Sequence, residues 1–509
     1  MNKTVRLTIV MSDPGPIIGC AILLLLLAGT VPALAQIPDT LFASDGAHAD
    51  RFGYSVDIDG DVAVVGASNV NGGMGSAYVF RYDGSRWNEE AVLTAPDGAA
   101  MDNFGFAVAV SGDNIVVGAP MKDDRVGGAY AFRYLASEWT TYQVLGPPVN
   151  TWPATFGWSI DVDGDRLAIG APGDGENGAS SGAAFVYTFT GPAWLPDAKV
   201  TASDGDLSDF LGTSLALGPD LLAVGAYGDD QRTGAVYVYT PDGSEWTEND
   251  KLVASDGSLF EDFGFDVDFS EESKLIVGAR YATGAADKSG AAYLFEFSGT
   301  QWSETAKLEA SNGNTNHTFG TQVAINGTVA AVSATAAPIP GPANSGVVYL
   351  YRLENQIWIE KNILLAPDET KVQQYGLSIA AQEDEIVVGA MSAENSKGVA
   401  SGAAFVYGLG LQSVGVDDTE VVSEFRLDQN YPNPFNPTTT IAYALPRPAE
   451  VTLTVCNVLG RQVRMLASGV QPAGAYEVTF DAAGLPSGVY FYRLTAAEYG
   501  ETKRMVVVK

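Results

Sequence analysis

Cysteine and histidine are almost absent from this sequence of 509 residues, which contains two of each. Cys20 lies in an N-terminal leader and Cys456 near the C-terminus, so the remaining chain cannot close an internal disulfide. His48 and His317 stand beside no nucleophile motif, and neither a zinc-ligand spacing nor a phosphate-binding glycine loop occurs. We therefore expect no enzyme, although hydrolysis by a pair of carboxylates stays open.

Long apolar segments are also lacking. The apolar run 17–29 follows the basic residues Lys3 and Arg6 and precedes a small-residue cleavage site at residues 33–35. It is shorter than the about 20 residues of a membrane span. Residues 1–35 are therefore predicted to be a signal peptide, and the exported protein is predicted not to span a membrane.

Basic residues are scarce, with 28 Lys and Arg against 61 Asp and Glu, for a net charge of −33. Residues 425–509 hold eight basic and six acidic residues, so the acidity lies between the leader and residue 425. Such a domain repels nucleic acid phosphates, and we expect no nucleic acid partner. The charge could attract cations or basic partners, or serve solubility alone.

The sequence does contain a sevenfold repeat with a spacing of 52–56 residues. Each unit opens with an aromatic or apolar residue followed by glycine. Next come a run of alternating apolar and polar residues, a tight turn, and an apolar run that ends in Gly-Ala in most units. The seven opening pairs are Phe52-Gly53, Phe104-Gly105, Phe156-Gly157, Leu211-Gly212, Phe263-Gly264, Phe319-Gly320 and Tyr375-Gly376.

Each unit continues with a strand of small and aromatic residues and, in the first six units, a strand that opens with Trp. Four short strands in each of seven units predict an all-β fold, a seven-bladed β-propeller. A linear β-solenoid fits less well, because its repeats are usually shorter. The six opening tryptophans are Trp87, Trp139, Trp194, Trp246, Trp302 and Trp358.

The two ends of the repeat are complementary. The last unit ends at Tyr407 without a fourth strand, whereas segment 41–46 matches the end of a fourth strand, segment 252–257. We predict a propeller over residues 37–408 in which the N-terminal strand completes the last blade. A linker over residues 409–424 follows.

Two of the units carry the complete signature of a known family. Phe104-Gly105 with Gly118-Ala119-Pro120, and Phe156-Gly157 with the segment 170–172, resemble the FG-GAP repeat. This family includes the integrin α-chain head and many bacterial extracellular proteins. The resemblance covers about residues 39–408 and implies the propeller fold, but it says little about function.

The resemblance raises the question of calcium. Integrin-type repeats often bind Ca²⁺ through a nine-residue acidic loop between the first two strands, and Ca²⁺ is the candidate cofactor here. The corresponding hairpins are shorter than that loop, and Asp-Gly pairs are typical of tight turns, so the turn interpretation is favoured. The candidate ligands are Asp57, Asp59, Asp61, Asp161, Asp163 and Asp165.

A second acidic set lies in the loops between blades and between strands two and three, which emerge on the same face. We predict an acidic rim that binds a glycan or protein ligand, because propeller loops vary while the scaffold holds them. The alternative is that these side chains hydrogen-bond their own turns. The set comprises Asp45, Asp50, Asp97, Asp102, Asp123, Asp124, Asp174, Asp204, Asp209, Asp229, Asp230, Asp256 and Asp262, and Asp368 continues it.

The C-terminal residues 425–509 have a different character, with short strands that predict a small Ig/Fn3-like β-sandwich. Segments 430–437, 457–460 and 503–509 closely resemble the type A sorting domain of type IX secretion. The resemblance implies export across both membranes and the type IX machinery as a partner. The sorting-motif residues are Leu485, Pro486, Ser487, Gly488, Tyr490, Lys503 and Lys509.

The function expected from the sequence is a secreted or cell-surface binding or adhesion propeller. Two alternatives stay open: a structural cell-surface protein without a discrete ligand, and a secreted hydrolase.

Overall fold

The computed structural model describes residues 38–147, 153–191, 193–218, 220–242, 245–270, 273–337, 345–367, 372–382, 385–394, 400–408, 425–427, 429–430, 433, 435–445, 449–458, 461–471, 474–496 and 499–508. The predicted signal peptide and the predicted linker lie outside these residues, as does Asp368. The chain divides into two compact units, one mainly of residues up to Tyr407 and one mainly of residues after it. In the described ranges, no helix has the length and apolar character needed to cross a membrane.

The first unit consists of seven four-stranded antiparallel sheets, which confirms the predicted seven-bladed propeller. Strand β1 (Asp39–Leu41) precedes the first blade. Blades 1 to 3 contain β2 (Phe52–Asp59), β3 (Val62–Ala67), β4 (Ser76–Tyr82) and β5 (Trp87–Leu93); β6 (Val108–Ser111), β7 (Asn114–Ala119), β8 (Gly128–Leu135) and β9 (Glu138–Leu145); and β10 (Ile160–Asp163), β11 (Arg166–Ala171), β12 (Ala183–Phe189) and β13 (Trp194–Val200).

The later blades repeat this arrangement. Blades 4 to 6 contain β14 (Ser214–Gly218), β15 (Leu221–Ala226), β16 (Ala235–Asp242) and β17 (Glu245–Leu252); β18 (Phe263–Ser270), β19 (Lys274–Ala279), β20 (Ala291–Phe297) and β21 (Trp302–Leu308); and β22 (Phe319–Asn326), β23 (Val329–Ala334), β24 (Val347–Glu354) and β25 (Ile357–Leu364). Blade 7 contains β26 (Tyr375–Gln382), β27 (Glu385–Ala390) and β28 (Ala403–Gly408). Three four-residue helical turns, α1 (Val70–Gly73), α2 (Lys122–Arg125) and α3 (Asp229–Arg232), join the second and third strands of blades 1, 2 and 4.

The opening pair of each repeat packs one blade against a neighbouring blade. In blade 1, Phe52 is fully buried, and its ring lies 5.3 Å from that of Tyr78. Gly53 has a φ of +85° at a register shift of the strand, and a Cβ there would overlap the carbonyl oxygen of Ala403 in blade 7. The glycine is therefore required by a close approach between blades as well as by its left-handed conformation.

Strand β1 occupies the fourth position of the last blade. Its residue Leu41 is paired with Ala404 of β28 and is buried together with Val387 and Val406. The order of that sheet is β1-β28-β27-β26, so the ring closes by joining the first strand of the chain to the last repeat.

The second unit is a β-sandwich of two sheets. One has the order β29-β30-β33 and the other β32-β31-β34-β35. Its core contains Tyr443, Leu453, Phe480 and Tyr492, all buried. The strands are β29 (Arg426–Leu427), β30 (Thr438–Leu445), β31 (Ala449–Asn457), β32 (Gln462–Gln471), β33 (Gly474–Asp481), β34 (Gly488–Ala496) and β35 (Tyr499–Val507).

Candidate functional site: a cavity on the propeller axis

The first strands of the seven blades surround a central channel, whose wider part is a cavity of about 480 Å³ that we call the axial cavity. This volume lies within the range of about 300–1,000 Å³ that is usual for small-molecule sites. The cavity is lined by the two residues that follow each opening pair, because ring closure brings these positions together. They are Tyr54, Phe106, Trp158, Thr213, Phe265, Thr321 and Leu377, followed by Ser55, Ala107, Ser159, Ser214, Asp266, Gln322 and Ser378.

Blades 1 to 3 contribute a continuous aromatic surface to this cavity, which we call the aromatic wall: Tyr54, Phe106 and Trp158. The ring centroids are 4.9 Å apart for Tyr54 and Phe106, and 4.6 Å apart for Phe106 and Trp158. All three side chains are half-buried, so part of each ring stays accessible. Such a wall offers a broad apolar surface for an apolar face of a ligand.

Blades 4 and 5 contribute a positively charged group, the cationic corner, formed by Arg280, Arg232 and Asp262. The Arg280 guanidinium lies 3.6 Å from the ring centroid of Phe265, and its Nε donates to Asp262 at 2.9 Å. Asp262 is fully buried and also accepts two hydrogen bonds from Arg232, at 2.7 and 2.6 Å. One carboxylate thus faces two guanidinium groups, and the corner keeps a net positive charge.

The remaining wall of the axial cavity is polar and carries Thr321, Gln322, Ser378 and Asp266. Asp266 accepts a hydrogen bond from the backbone N–H of Val323 at 2.7 Å. Burial raises the pKa of Asp266 to about 8, so its carboxyl is mostly protonated at neutral pH and can donate a hydrogen bond. The cavity is therefore asymmetric, with an aromatic wall, a cationic corner and a polar wall.

A narrower cavity of about 170 Å³ continues along the axis and contains three aspartates at one repeat position, Asp57, Asp161 and Asp268. They belong to blades 1, 3 and 5, whereas blades 2, 4 and 6 have alanine at this position. Each carboxylate accepts a backbone N–H of the following blade and so ties two blades together. The donors are Val110 at 2.7 Å, Leu217 at 2.6 Å and Ile325 at 2.7 Å.

The position of these carboxyls inside the channel changes their protonation. Burial raises the pKa of Asp57 to about 8, of Asp268 to about 7 and of Asp161 to about 6, and repulsion from neighbouring carboxylates adds to it. These values exceed the 3.8 of a free aspartate, so the folded propeller binds protons more tightly than the unfolded chain. The resulting stabilisation is complete below pH ~4 and is lost as the pH rises through about 6 to 8.

We expect the triple variant Asp57→Asn, Asp161→Asn, Asp268→Asn to melt above the wild type at pH 8, by several degrees more than at pH 5, where the three folded carboxyls are still mostly protonated. The amide oxygen of asparagine accepts the same N–H bond but carries no charge. Thermal unfolding between pH 5 and pH 8 measures the difference. Asp59→Asn, at an exposed carboxylate bonded to the N–H of Gly112, serves as the control. A gap between wild type and triple variant that does not change with pH would contradict the expectation.

The first set of predicted calcium ligands does not converge. Asp57 faces the channel, Asp59 accepts the N–H of Gly112 at 2.6 Å, and Asp61 pairs with Arg81 at 2.9 Å. The three carboxylates thus reach three different partners, and the short Asp-Gly hairpin forms a tight turn.

The second set is also separated, since Asp161 faces the channel whereas Asp163 and Asp165 are exposed at the hairpin. Gly164 of this hairpin has a φ of +57°, as a tight turn requires. Across the described residues, no three His, Cys, Asp or Glu side chains are grouped so that they could hold a metal ion.

Most of the predicted acidic rim is engaged in holding loops. Asp45, Asp97, Asp204 and Asp256 each accept a hydrogen bond from a tyrosine hydroxyl of a third strand, at 2.6–2.8 Å. These hydroxyls belong to Tyr78, Tyr130, Tyr237 and Tyr293. Blade 3 has Phe185 in place of the tyrosine.

The other rim aspartates are held locally or paired. Asp50, Asp102 and Asp209 each accept the backbone N–H three residues earlier in the chain. Asp123, Asp124 and Asp230 adopt left-handed backbone conformations in the helical turns α2 and α3. Asp174 and Asp229 are buried and pair with Lys199 and Lys251, and Asp262 belongs to the cationic corner. Of these residues, Asp50, Asp102 and Asp209 bond within their own turns, as the alternative interpretation predicts, whereas Asp45 and Asp174, for example, bond to side chains of distant strands.

A cavity of about 500 Å³ also lies between blades 4 and 5 and is lined by Leu221, Phe269 and Trp302, among others. A ring is missing at this interface. Near the ends of the third strands of blades 1, 2, 3 and 5, an aromatic residue lies 5.1–5.4 Å from the following tryptophan, whereas blade 4 has Pro241 at this position. We therefore interpret this cavity as a packing gap.

The aromatic wall was not predicted from the sequence, although the sequence contains a signal for it. The residue after the opening pair is aromatic in blades 1, 2, 3 and 5, at Tyr54, Phe106, Trp158 and Phe265. Within a single repeat, an aromatic residue at this position is interpreted as part of the hydrophobic core. The closed ring of blades places these side chains around a shared cavity.

In the second unit the sorting-motif residues form part of the sandwich. Leu485 packs on its core, and the hydroxyl of Tyr490 donates to the carbonyl of Pro486 at 3.0 Å. Gly488 begins β34, preceded by Ser487, and Lys503 lies on β35 with its ammonium 3.3 Å from Glu501. Lys509 lies outside the described residues.

Comparison with solved structures finds proteins of low similarity. PorZ of Porphyromonas gingivalis, described as an essential bacterial surface component of the type-IX secretion system, is 14% identical with a TM-score of 0.46; the match covers 92% of this chain and 61% of PorZ. Sqt1 of Chaetomium thermophilum is 13% identical with a TM-score of 0.43, covering 73% of this chain and 90% of Sqt1. The periplasmic gluconolactonase PpgL of Pseudomonas aeruginosa is 13% identical with a TM-score of 0.38, and the match covers 62% of this chain and 85% of PpgL. No curated protein matches the sequence.

Family models match both units of the chain. The model described as secretion system C-terminal sorting domain matches residues 429–509, which indicates type IX export to the cell surface or the exterior. The FG-GAP repeat model matches residues 39–80, 87–132, 151–187, 194–239, 246–295, 302–351 and 358–407, which is more than half of the chain. With seven such repeats forming seven blades, this chain belongs to the FG-GAP repeat family and is a propeller exported by type IX secretion.

Proposed function

We propose that this protein is a non-enzymatic binding protein of the cell surface or exterior that holds a carbohydrate in its axial cavity. The observation that carries the proposal is the aromatic wall of Tyr54, Phe106 and Trp158 opposite a wall of hydroxyl, amide and carboxyl groups. A sugar ring has C–H faces that pack on aromatic rings and hydroxyl edges that exchange hydrogen bonds. The cavity matches both properties within one site.

The axial carboxyls support binding rather than hydrolysis. A glycoside hydrolase needs one carboxylate free to attack or to activate water and one acid free to protonate the leaving group. Asp57, Asp161, Asp266 and Asp268 each already accept a backbone N–H of the next blade. Their positions are explained by blade packing.

We expect Trp158→Ala to weaken glycan binding by about tenfold, which corresponds to 1.4 kcal/mol. The reason is the loss of the ring that ends the aromatic wall. The whole protein is screened on a glycan array, and the dissociation constant of the best glycan is then measured by calorimetry for both proteins.

Trp139→Ala is the matched control, because Trp139 is a half-buried tryptophan of the outer strand β9 outside the cavity lining. Thermal unfolding verifies that both variants fold. A wild type that retains no glycan, or a Trp158→Ala variant that binds as well as the wild type, would refute the proposal. Cleavage of the bound glycan, detected by mass spectrometry, would instead favour the hydrolase alternative.

A further inference from the structure

We propose that the ligand of the axial cavity is an acidic saccharide, such as one containing uronic acid, and that Arg280 binds its carboxylate. This inference rests on the proposed function and specifies its ligand class. It follows from the charge, the geometry and the surroundings of the cationic corner.

The charge of the cavity contrasts with that of the chain. The sequence has a net charge of −33, yet Arg280 is the one basic residue among the described residues that line the axial cavity. Its carboxylate partner, Asp262, is shared with Arg232, which holds it through two hydrogen bonds. The positive charge left over is therefore available to a ligand.

The geometry of Arg280 suits a carboxylate. Its guanidinium is fixed 3.6 Å from the ring centroid of Phe265 and 4.9 Å from that of Tyr281. Its hydrogen bond to Asp262 uses Nε, which leaves the Nη groups for other acceptors. A planar guanidinium held in this way presents N–H donors that bind a carboxylate in a bidentate manner.

Another arginine of the propeller that lies over an aromatic ring has no uncompensated charge. Arg81 also lies over a ring, 4.9 Å from the centroid of Tyr134, but it pairs with two carboxylates, Asp61 and Glu90. Its charge is thereby compensated within the protein. At Arg280, by contrast, positive charge exceeds negative charge at the edge of a cavity. This excess points to a ligand that supplies a negative charge.

The rest of the cavity is compatible with an anion. Asp266 is the one acidic side chain among the described residues that line it, and burial raises its pKa to about 8. At neutral pH it is mostly uncharged and does not repel a carboxylate. A ring on the aromatic wall and a carboxylate on Arg280 would therefore occupy the same cavity.

The test compares acidic glycans with their methyl esters, in which the shape is kept and the charge is removed. The whole protein is applied to an array of uronic acid oligosaccharides, their methyl esters and neutral oligosaccharides. We expect retention on the acidic glycans and a weakening of about 10- to 100-fold on esterification. Arg280→Gln should weaken acid binding by a similar factor, and Arg280→Lys by less, because it keeps the charge but not the planar fork.

Arg133→Gln is the control variant, because Arg133 lies 4.9 Å from the ring centroid of Phe189 at a different blade interface. It should bind as the wild type does. Equal binding of acids and esters, unaffected by Arg280→Gln, would overturn the inference while the proposed function stands. Retention of no glycan at all would overturn both. The ester comparison uses the wild type alone and stays decisive even if an Arg280 variant fails to fold.

Discussion

A variant that lacks residues 37–46 is expected to lose more than about 10 °C in its unfolding midpoint or to accumulate as aggregates. The deletion removes β1, the fourth strand of blade 7, together with the buried residues Leu41 and Ala43. It also removes the bond from Tyr78 to Asp45. Blade 7 then ends at β28 with an unpaired edge, which is a template for aggregation, and the ring is no longer closed by backbone hydrogen bonds.

The measurement is thermal unfolding by circular dichroism combined with limited proteolysis. A synthetic peptide of residues 37–46, added in excess, should restore part of the lost stability, since binding to the native state alone raises stability by mass action. A peptide with the same residues in scrambled order is the control. Unchanged melting of the deleted protein would mean that β1 does not close the ring.

Gly75→Ala is expected to destabilise the propeller by about 3–5 kcal/mol, whereas Gly84→Ala should cost about 1 kcal/mol. Both glycines are in blade 1 and have similar left-handed backbones, with φ of +86° and +90°. A Cβ at Gly75 would overlap the carbonyl oxygen of Phe104 in the next blade and lie 2.7 Å from its amide nitrogen. At Gly84 it would meet nothing within 4 Å.

The pair of variants separates two costs that glycine avoids. Gly84→Ala measures the strain of a left-handed alanine, and Gly75→Ala adds the collision between blades. Chemical denaturation of both variants measures the difference between their free energies of unfolding. The expectation also holds if the Gly84→Ala protein folds and the Gly75→Ala protein cannot be obtained in folded form. Equal losses in the two variants would show that the blades move apart at little cost.

The same close approach recurs around the ring. Glycines before the third strands form bridges to the opening residue of a neighbouring blade, as Gly75 does with Phe104 and Gly402 with Phe52. Unlike the glycines of the opening pairs, this second set of glycines was not predicted from the sequence. A glycine in a loop is usually interpreted as part of a turn. The residue that approaches it closely belongs to the following repeat, so the need for glycine is not evident from one repeat alone.

The fold could be predicted because its signals are local. The alternation within each strand, the tight turns and the recurrence of an opening pair every 52–56 residues are properties of the chain itself. Blades repeat one supersecondary unit, so their count follows from the count of repeats. The segment at 41–46 indicated the missing strand for the same reason, because it resembled the fourth strands of other units.

The candidate site could not be predicted in this way. The sequence singled out acidic residues of loops and hairpins, and most of these carboxylates bind tyrosine hydroxyls, backbone N–H groups or lysines. The spacing of carboxylates along the chain does not determine which hydrogen-bond donor each of them contacts in the folded protein. Asp57 and Asp59 lie two residues apart yet bond to different residues of blade 2, Val110 and Gly112.

The sequence by itself determined the architecture of this protein: seven blades, four strands in each, and a C-terminal sorting domain. Only the tertiary structure decided where its chemistry lies. Trp158 and Arg280 are far apart in the chain and in different blades, and they line one cavity because the ring places every first strand on the axis. Closure of the ring is a long-range event, and it converts equivalent positions of separate repeats into neighbours.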